Sequence, residues 1–191
     1  MSSTELQHAW YELTRAKAFS SVALVPTEAG TQTLILAQEI AALAARDPRE
    51  RVLVLNATGT PVLRGQAPPA AHELPGRQMF RENGVVPMAG GKFGLLDYAQ
   101  LGEDEQVVAM VRVPEITEAV RQKTGPFTRV IVATQSPMVH PASVSSARAC
   151  DTVVVCVTLG QTTFHAGRRI LELVGEENVA GSITFRPRHY R

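Results

Sequence analysis

The sequence predicts an α/β fold in which a mostly parallel sheet is covered by helices on both faces. Short apolar runs alternate along the chain with segments rich in helix-forming residues. The apolar runs are continuous and bounded by turn residues, which is typical of strands buried on both faces. Long helical segments join successive runs, and such connections produce right-handed units with parallel strands.

The first half of the chain is predicted to begin with a helix over residues 6–19. Its apolar face includes Trp10, which either packs on the core or contacts another subunit. A buried strand follows at 22–25, then a turn, a helix at 33–45 and a second strand at 51–56. This order indicates a strand–helix–strand unit near the start of the sheet.

Residues 58–94 are the least regular part of the sequence, because prolines and glycines recur throughout. We expect long loops there, with a short helix at 78–82 and a short strand at 85–87. The loop GGKFG at 90–94 lacks the flanking strand and helix of a phosphate-binding loop. Later elements are predicted as helix 95–101, strand or helix 106–111, helix 114–123, strand 128–133, helix 142–149, strand 152–158, helix 162–174 and strand 179–185.

Composition limits the class of protein. The chain has 191 residues, a net charge of +1 and 5% aromatic residues. These values suit one domain over 1–191, with a mobile basic tail at 186–191. They disfavour nucleic-acid binding, since there is no basic stripe and few aromatic residues exist for stacking on bases. No apolar run reaches the length of a membrane span, and the N-terminus does not have the pattern of a signal peptide.

Side chains that bind metals are few and scattered. The five histidines have no ligand spacing, so we expect no metal site. Cys150 and Cys156 are expected to be buried, reduced thiols, the alternative being a disulfide or metal pair. With the absence of a leader, this indicates a cytoplasmic protein.

The strand–turn–helix over residues 22–45 organises the predicted site. Such a turn aims backbone N–H groups and the positive end of a helix dipole at one point, which is how phosphate is commonly held. In parallel sheets, ligands lie beyond the carboxyl ends of the strands. Three segments are therefore expected to form this rim: 26–33, 56–60 and 133–137.

Six segments, taken in order along residues 8–185, together carry a family resemblance. They are HAWYELT at 8–14, the turn and helix at 27–41, the strand at 52–58, GLLDY at 94–98, the strand and loop at 127–137, and the strand and helix at 153–174. In this order the chain resembles the bacterial tyrosine kinases (BY-kinases) of capsule and exopolysaccharide export, within the MinD/ParA-like P-loop ATPases. The resemblance implies a single-domain, three-layer P-loop NTPase-like fold.

The Walker A turn of that family is degenerate here. With the helix aligned at residues 40–41, Thr33 stands at the phosphate-binding Lys, Leu34 at the Ser or Thr, and Gln32 at the last Gly. An alignment shifted by two residues puts Thr31 and Gln32 at the first two of these positions instead. Neither alignment supplies the cation that phosphoryl transfer needs.

The acidic positions are degenerate as well. Asn56 and Thr58 stand at two aspartates of the family, and Ala133 stands at the Walker B aspartate, whereas Gly30 and Thr134 match the family pattern. A neutral amide is a poor Mg²⁺ ligand. The degenerate nucleotide-site positions are therefore Thr27, Gly30, Thr31, Gln32, Thr33, Leu34, Asn56, Thr58, Ala133 and Thr134.

The segments that serve assembly and autophosphorylation in the family also differ. Its N-terminal E-x-x-R-x-x-R helix, which joins subunits into a ring, reads His8, Tyr11 and Thr14 here, with Arg15 one position off the last Arg. Of its C-terminal tyrosine cluster only Tyr190 remains. The helix is still a candidate surface for a homo-oligomer or a partner, through His8, Trp10, Tyr11 and Arg15.

The sequence thus predicts a non-catalytic, BY-kinase-like protein that uses no cofactor. Its expected role is to bind and regulate a membrane-embedded chain-length or export protein of exopolysaccharide or capsule biosynthesis. Recruitment of this chain to the inner membrane by that partner is part of the same expectation. One alternative is an active autokinase or ATPase with a divergent site. Another is a regulatory partner of a ParA/MinD-type ATPase.

Overall fold

The computed structural model describes residues 3–29, 31–61 and 84–186. Seven strands form one sheet in the order β3-β4-β2-β5-β1-β6-β7. All neighbouring pairs are parallel except β3 and β4, which are antiparallel. The predicted α/β fold with a mostly parallel sheet is therefore confirmed. The strands are β1 Ser21–Pro26, β2 Val52–Ala57, β3 Val86–Met88, β4 Phe93–Asp97, β5 Arg129–Thr134, β6 Thr152–Thr158 and β7 Val179–Phe185.

Helices cover both faces of this sheet. Alternate residues of one strand point to opposite faces, so Val22 and Leu24 belong to one apolar cluster and Ala23 and Val25 to the other. A π-helical turn, Val108–Arg112, joins α4 to α5. The helices are α1 Ser3–Ala16, α2 Thr33–Ala44, α3 Tyr98–Leu101, α4 Glu105–Val107, α5 Val113–Arg121, α6 Ala142–Arg148 and α7 Phe164–Val174, with a 3₁₀ turn at Glu176–Asn178.

The helix predicted at 95–101 is wrong. Residues Phe93–Asp97 form strand β4, and only the four residues of α3 are helical. All five residues of β4 are buried, and the strand pairs with β2 on one side and β3 on the other. Burial between two strands outweighs the local helix propensity of the Leu-rich run.

The loop predicted at 90–94 is partly correct. A turn precedes β4, and its last two residues, Phe93 and Gly94, already lie in the strand. A side chain at Gly94 would place its Cβ 2.7 Å from Cγ1 of Val85 and 3.0 Å from Cζ of Phe127. Glycine therefore allows these two apolar side chains to pack over the strand.

The remaining elements agree with the sequence in order and type. Residues 106–111 are helical, which resolves the alternative left open, and Cys150 and Cys156 are buried, free thiols as expected. The helix predicted at 78–82 lies outside the described residues, as does the tail from residue 187 onward. The described helices include none that is both long and apolar enough to cross a membrane.

Candidate functional site

A cavity of about 340 Å³ lies at the carboxyl ends of β1, β2 and β5. The structure brings the three predicted rim segments together around it, because parallel strands end at the same edge of the sheet. Its lining consists of Pro26, Glu28, Ala29, Thr31, Gln32, Thr33, Leu34, Ile35, Thr58, Thr60, Thr134, Gln135, Ser136, Val139 and His140. Gly30, which matches the family pattern, lies outside the described residues.

The first turn of α2 faces this cavity without a cation. Thr33, the position of the Walker A lysine in one alignment, is buried, and its Oγ1 donates to the carbonyl of Thr134 at 3.0 Å. Gln32 precedes the helix, and its side chain makes no capping hydrogen bond. Among the described residues that line the cavity, none is Lys or Arg. A triphosphate bound here would lack the positive side chain that ordinarily neutralises it.

Threonine hydroxyl groups hold the turn between β1 and α2 against the end of β6. Thr27 is buried, and both its backbone N and its Oγ1 donate to the carbonyl of Cys156, at 3.0 and 3.2 Å. Its Oγ1 also lies 2.6 Å from Oγ1 of Thr162. Thr31 is similarly paired, with its Oγ1 3.2 Å from Oγ1 of Thr158. Protein groups thus satisfy these hydroxyls without any bound anion.

The Asn56 side chain at the end of β2 is fully buried and makes four hydrogen bonds. Its Nδ2 donates to Asp97 Oδ1 and to the Thr60 carbonyl, both at 2.9 Å. Its Oδ1 accepts from Thr58 N at 3.1 Å and from Thr58 Oγ1 at 2.7 Å. Both sides of the carboxamide are therefore in use. A carboxylate here would direct an oxygen at another carboxylate and at a carbonyl, so this site requires an amide.

The two other positions where the family has aspartates differ in where they point. Thr58 lines the cavity, and its hydroxyl donates to Asn56. Ala133, at the Walker B position, is fully buried in the apolar cluster that includes Leu36 and Ile40 of α2, and it does not line the cavity. The next residue, Thr134, lines the cavity but donates its hydroxyl to the carbonyl of Leu24 at 3.1 Å. Neither Thr58 nor Ala133 therefore supplies a charged ligand for a metal ion.

Sequence reasoning missed a cluster beside the cavity that centres on Glu105. Its Oε1 accepts from Gln135 Nε2 at 2.8 Å, and its Oε2 lies 3.2 Å from His140 Nδ1. Gly59 has a φ of 67°, and a Cβ there would clash with both Gln135 Nε2 and Glu105 Oε1. Gln135 was within the predicted rim. Glu105 comes from the start of α4, and no local pattern in the sequence connects it to the rim.

Asp97 was also not assigned a role from the sequence, although its segment, GLLDY, carried part of the resemblance. It is the last residue of β4, is 4% exposed, and pairs in register with Asn56 of β2. The register of β2 against β4 thus sets the carboxylate beside the amide. Only the pairing of strands that are far apart in sequence reveals this contact.

Of the four candidate interface residues on α1, one packs against the sheet and three are exposed. Trp10 packs edge-on against Phe19, with ring centroids 5.7 Å apart, and the Arg129 guanidinium lies 5.4 Å from the Trp10 ring centroid. Trp10 therefore anchors the helix to the sheet. His8, Tyr11 and Arg15 are exposed, with Tyr11 at 60%. These three remain available to a partner.

Residues 3–29, 31–61 and 84–186 contain no group of three or more His, Cys, Asp or Glu side chains placed to hold a metal ion. The hydroxyl of Ser136 donates to the carbonyl of Thr27 at 3.2 Å. Tyr190 lies outside the described residues.

Solved structures that are similar to this chain include kinase and ATPase domains. The kinase domain of VpsO aligns at 14% identity over 97% of this chain and 96% of its own, with a TM-score of 0.72. The kinase domain of the Escherichia coli tyrosine kinase ETK aligns at 14% identity over 90% of this chain and 70% of its own, with a TM-score of 0.67. A ParA family ATPase from Chlorobium tepidum aligns at 12% identity over 88% and 74%, with a TM-score of 0.56. The predicted P-loop NTPase-like fold is confirmed.

No family model matches the chain, and no curated protein matches it. At 12–14% identity the structural likeness establishes the fold, and the residues of the site decide the chemistry.

Proposed function

We propose that this chain is a non-catalytic relative of the bacterial tyrosine kinases of exopolysaccharide and capsule export. It acts in the cytoplasm as an interaction partner of a membrane-embedded chain-length or export protein. It regulates polymer synthesis or secretion by docking, not by phosphorylation. The likeness in fold to two kinase domains, one of them from a tyrosine kinase, supports the family part of this proposal.

The observation that carries the proposal is the set of four hydrogen bonds made by Asn56. Mg²⁺ in phosphoryl-transfer sites is commonly held by carboxylate oxygens. At the end of β2 a neutral amide occupies such a position, and its donors and acceptor are all used within the protein. The neighbouring Asp97 carboxylate favours the amide over an aspartate at this position.

The electrostatics of the cavity give independent support. No Lys or Arg is among its described lining residues, and the acidic Glu28 is. The end of the α2 dipole contributes only about half an elementary charge, which is small against a triphosphate. Several charges would have to be restored together before phosphoryl transfer could occur.

Calorimetric titration with Mg·ATP tests the catalytic half of the proposal. We expect no saturable, Mg²⁺-dependent binding with a Kd at or below the low micromolar range. The VpsO kinase domain serves as the positive control. A ligand at about 100 times its Kd would stabilise the fold by roughly 2.7 kcal/mol, so a melting curve gives a second readout. Tight Mg²⁺-dependent binding would favour an active autokinase or ATPase with a divergent site.

Co-purification from detergent-solubilised membranes tests the docking half. The tagged chain should retain a membrane-embedded chain-length or export protein. A variant with His8, Tyr11 and Arg15 all changed to Ala should retain less, because these side chains are exposed on α1. Recovery of an intact ParA/MinD-type ATPase instead would assign the chain as its regulatory partner.

A further inference from the structure

We propose that the cavity at the ends of β1, β2 and β5 binds an uncharged, hydroxyl-rich small molecule of the size of one pyranose ring. The chain would then sense a sugar in the cavity that the degenerate nucleotide-site positions line. This inference rests on the proposed function, because it requires a cavity free of nucleotide. The experiment below distinguishes failure of the sugar-binding proposal from failure of the proposed function.

The size and walls of the cavity suit a small ring. Its volume of about 340 Å³ lies at the lower end of the range of about 300–1,000 Å³ for small-molecule sites. Leu34, Ile35 and Val139 supply apolar wall, and Ile35 and Val139 are 50% and 53% exposed. Exposed aliphatic groups at a cavity wall are stabilised by covering them with the C–H surface of a ligand.

Three polar side chains at the cavity retain hydrogen-bonding capacity. Gln32 makes no side-chain hydrogen bond to another described residue, and neither does the hydroxyl of Thr60. Gln135 uses Nε2 on Glu105, which leaves its Oε1 carbonyl. Together these groups provide donors and acceptors that are all neutral. Sugar hydroxyls, which both donate and accept, match this set.

Several features of the lining argue against anions and nucleobases as ligands. Thr31 and Thr33 already donate their hydroxyl protons within the protein, and no described lining residue is Lys or Arg, so an anion gains little. No Phe, Tyr or Trp is among the described lining residues. A nucleobase would therefore find no aromatic ring on which to stack.

The test is binding of defined neutral sugars to the full chain, measured by ligand-observed NMR and calorimetry. The probes are D-glucose, D-galactose and N-acetyl-D-glucosamine, with glucose 6-phosphate, adenosine and Mg·ATP as contrasts. We expect at least one neutral sugar to bind. Glucose 6-phosphate should bind no more tightly than glucose, because the cavity lacks a cation.

Two neighbouring substitutions locate the site. Val139→Trp fills the cavity and should weaken binding by at least about tenfold. Met138→Trp is the matched control, because Met138 is 49% exposed and does not line the cavity. It should leave affinity within about twofold.

Each other outcome overturns the inference. If no neutral sugar binds, or if Val139→Trp leaves sugar affinity unchanged, the cavity is not a sugar site. If Mg·ATP also fails to bind in that case, the proposed function stands. Tight Mg·ATP binding overturns both proposals, and adenosine binding more tightly than every sugar assigns the cavity to nucleosides.

Discussion

Asn56 Nδ2 donates a hydrogen bond of 2.9 Å to Asp97 Oδ1 across the adjacent ends of β2 and β4. Both residues are buried, with 0% and 4% of their surfaces exposed. The carboxylate therefore has an amide donor in a region from which water is excluded. We therefore expect that an aspartate cannot replace Asn56 without a loss of stability.

Asn56→Asp should destabilise the fold by about 2–4 kcal/mol, because it places two carboxylates at hydrogen-bonding distance in a buried site. Urea denaturation of the native protein and the variant measures this loss. Adding Asp97→Asn to the variant restores an amide opposite a carboxylate and should recover part of the stability. An Asn56→Asp protein as stable as the native one would contradict the proposed hydrogen-bond assignment.

Restoring single charges should not restore catalysis. Thr33→Lys supplies a cation but no Mg²⁺ ligand, and Ala133→Asp buries a carboxylate in the apolar cluster beneath α2. We expect no phosphate release from ATP by either variant. Ala133→Asp should lower the melting temperature more than Thr33→Lys, since a Lys at position 33 can extend into the cavity. Hydrolysis by the native protein that is lost in Thr33→Ala would reverse this conclusion.

Asp151 should make stability depend on pH. Burial by itself would raise the pKa of its carboxyl, but hydrogen bonds from Ser20, Arg121 and Ser21 outweigh burial and hold that pKa well below the ordinary value. A lowered folded-state pKa contributes stability above the unfolded-state pKa of about 3.9, and this contribution is lost as pH falls below that value.

The measurement for Asp151 is the free energy of unfolding of the native protein and of Asp151→Asn across pH. The variant should be less stable near neutral pH, and the difference should narrow as pH falls below about 4. Glu39→Gln, which removes one carboxylate from the exposed side of α2, is the matched control. If the difference in the free energy of unfolding between the native protein and Asp151→Asn is constant with pH, the Asp151 carboxylate does not cause the pH dependence.

Truncation of Trp10 and of the adjacent Tyr11 should have very different effects on stability. Trp10→Ala removes the contacts with Phe19 and Arg129 and should cost about 2–3 kcal/mol of stability. Tyr11 is 60% exposed, so Tyr11→Ala should change stability by no more than about 0.5 kcal/mol. Melting temperatures of the two variants test this division. Equal losses would mean that Tyr11 also packs on the fold.

Much of the fold follows from local sequence patterns. The apolar, β-branched runs at β1, β2, β5 and β6 predict buried strands, because few other structures tolerate such runs. Their alternation with helices predicts the parallel sheet, and the carboxyl-end rule then predicts the rim of the cavity. The β4 segment is the exception, since its Leu-rich composition favours a helix and only burial between β2 and β3 makes it a strand.

The chemistry of the site divides in the same way. The sequence by itself determined which charges are missing, because the absence of Lys, and of aspartates at positions 56, 58 and 133, is a matter of residue identity. Only the tertiary structure decided what replaces them. Asp97 meets Asn56, and Glu105 meets Gln135 and His140, because strands and loops distant in sequence converge at one edge of the sheet. Hydrogen bonds depend on distance and direction in space, and those are set by the packing of the whole sheet.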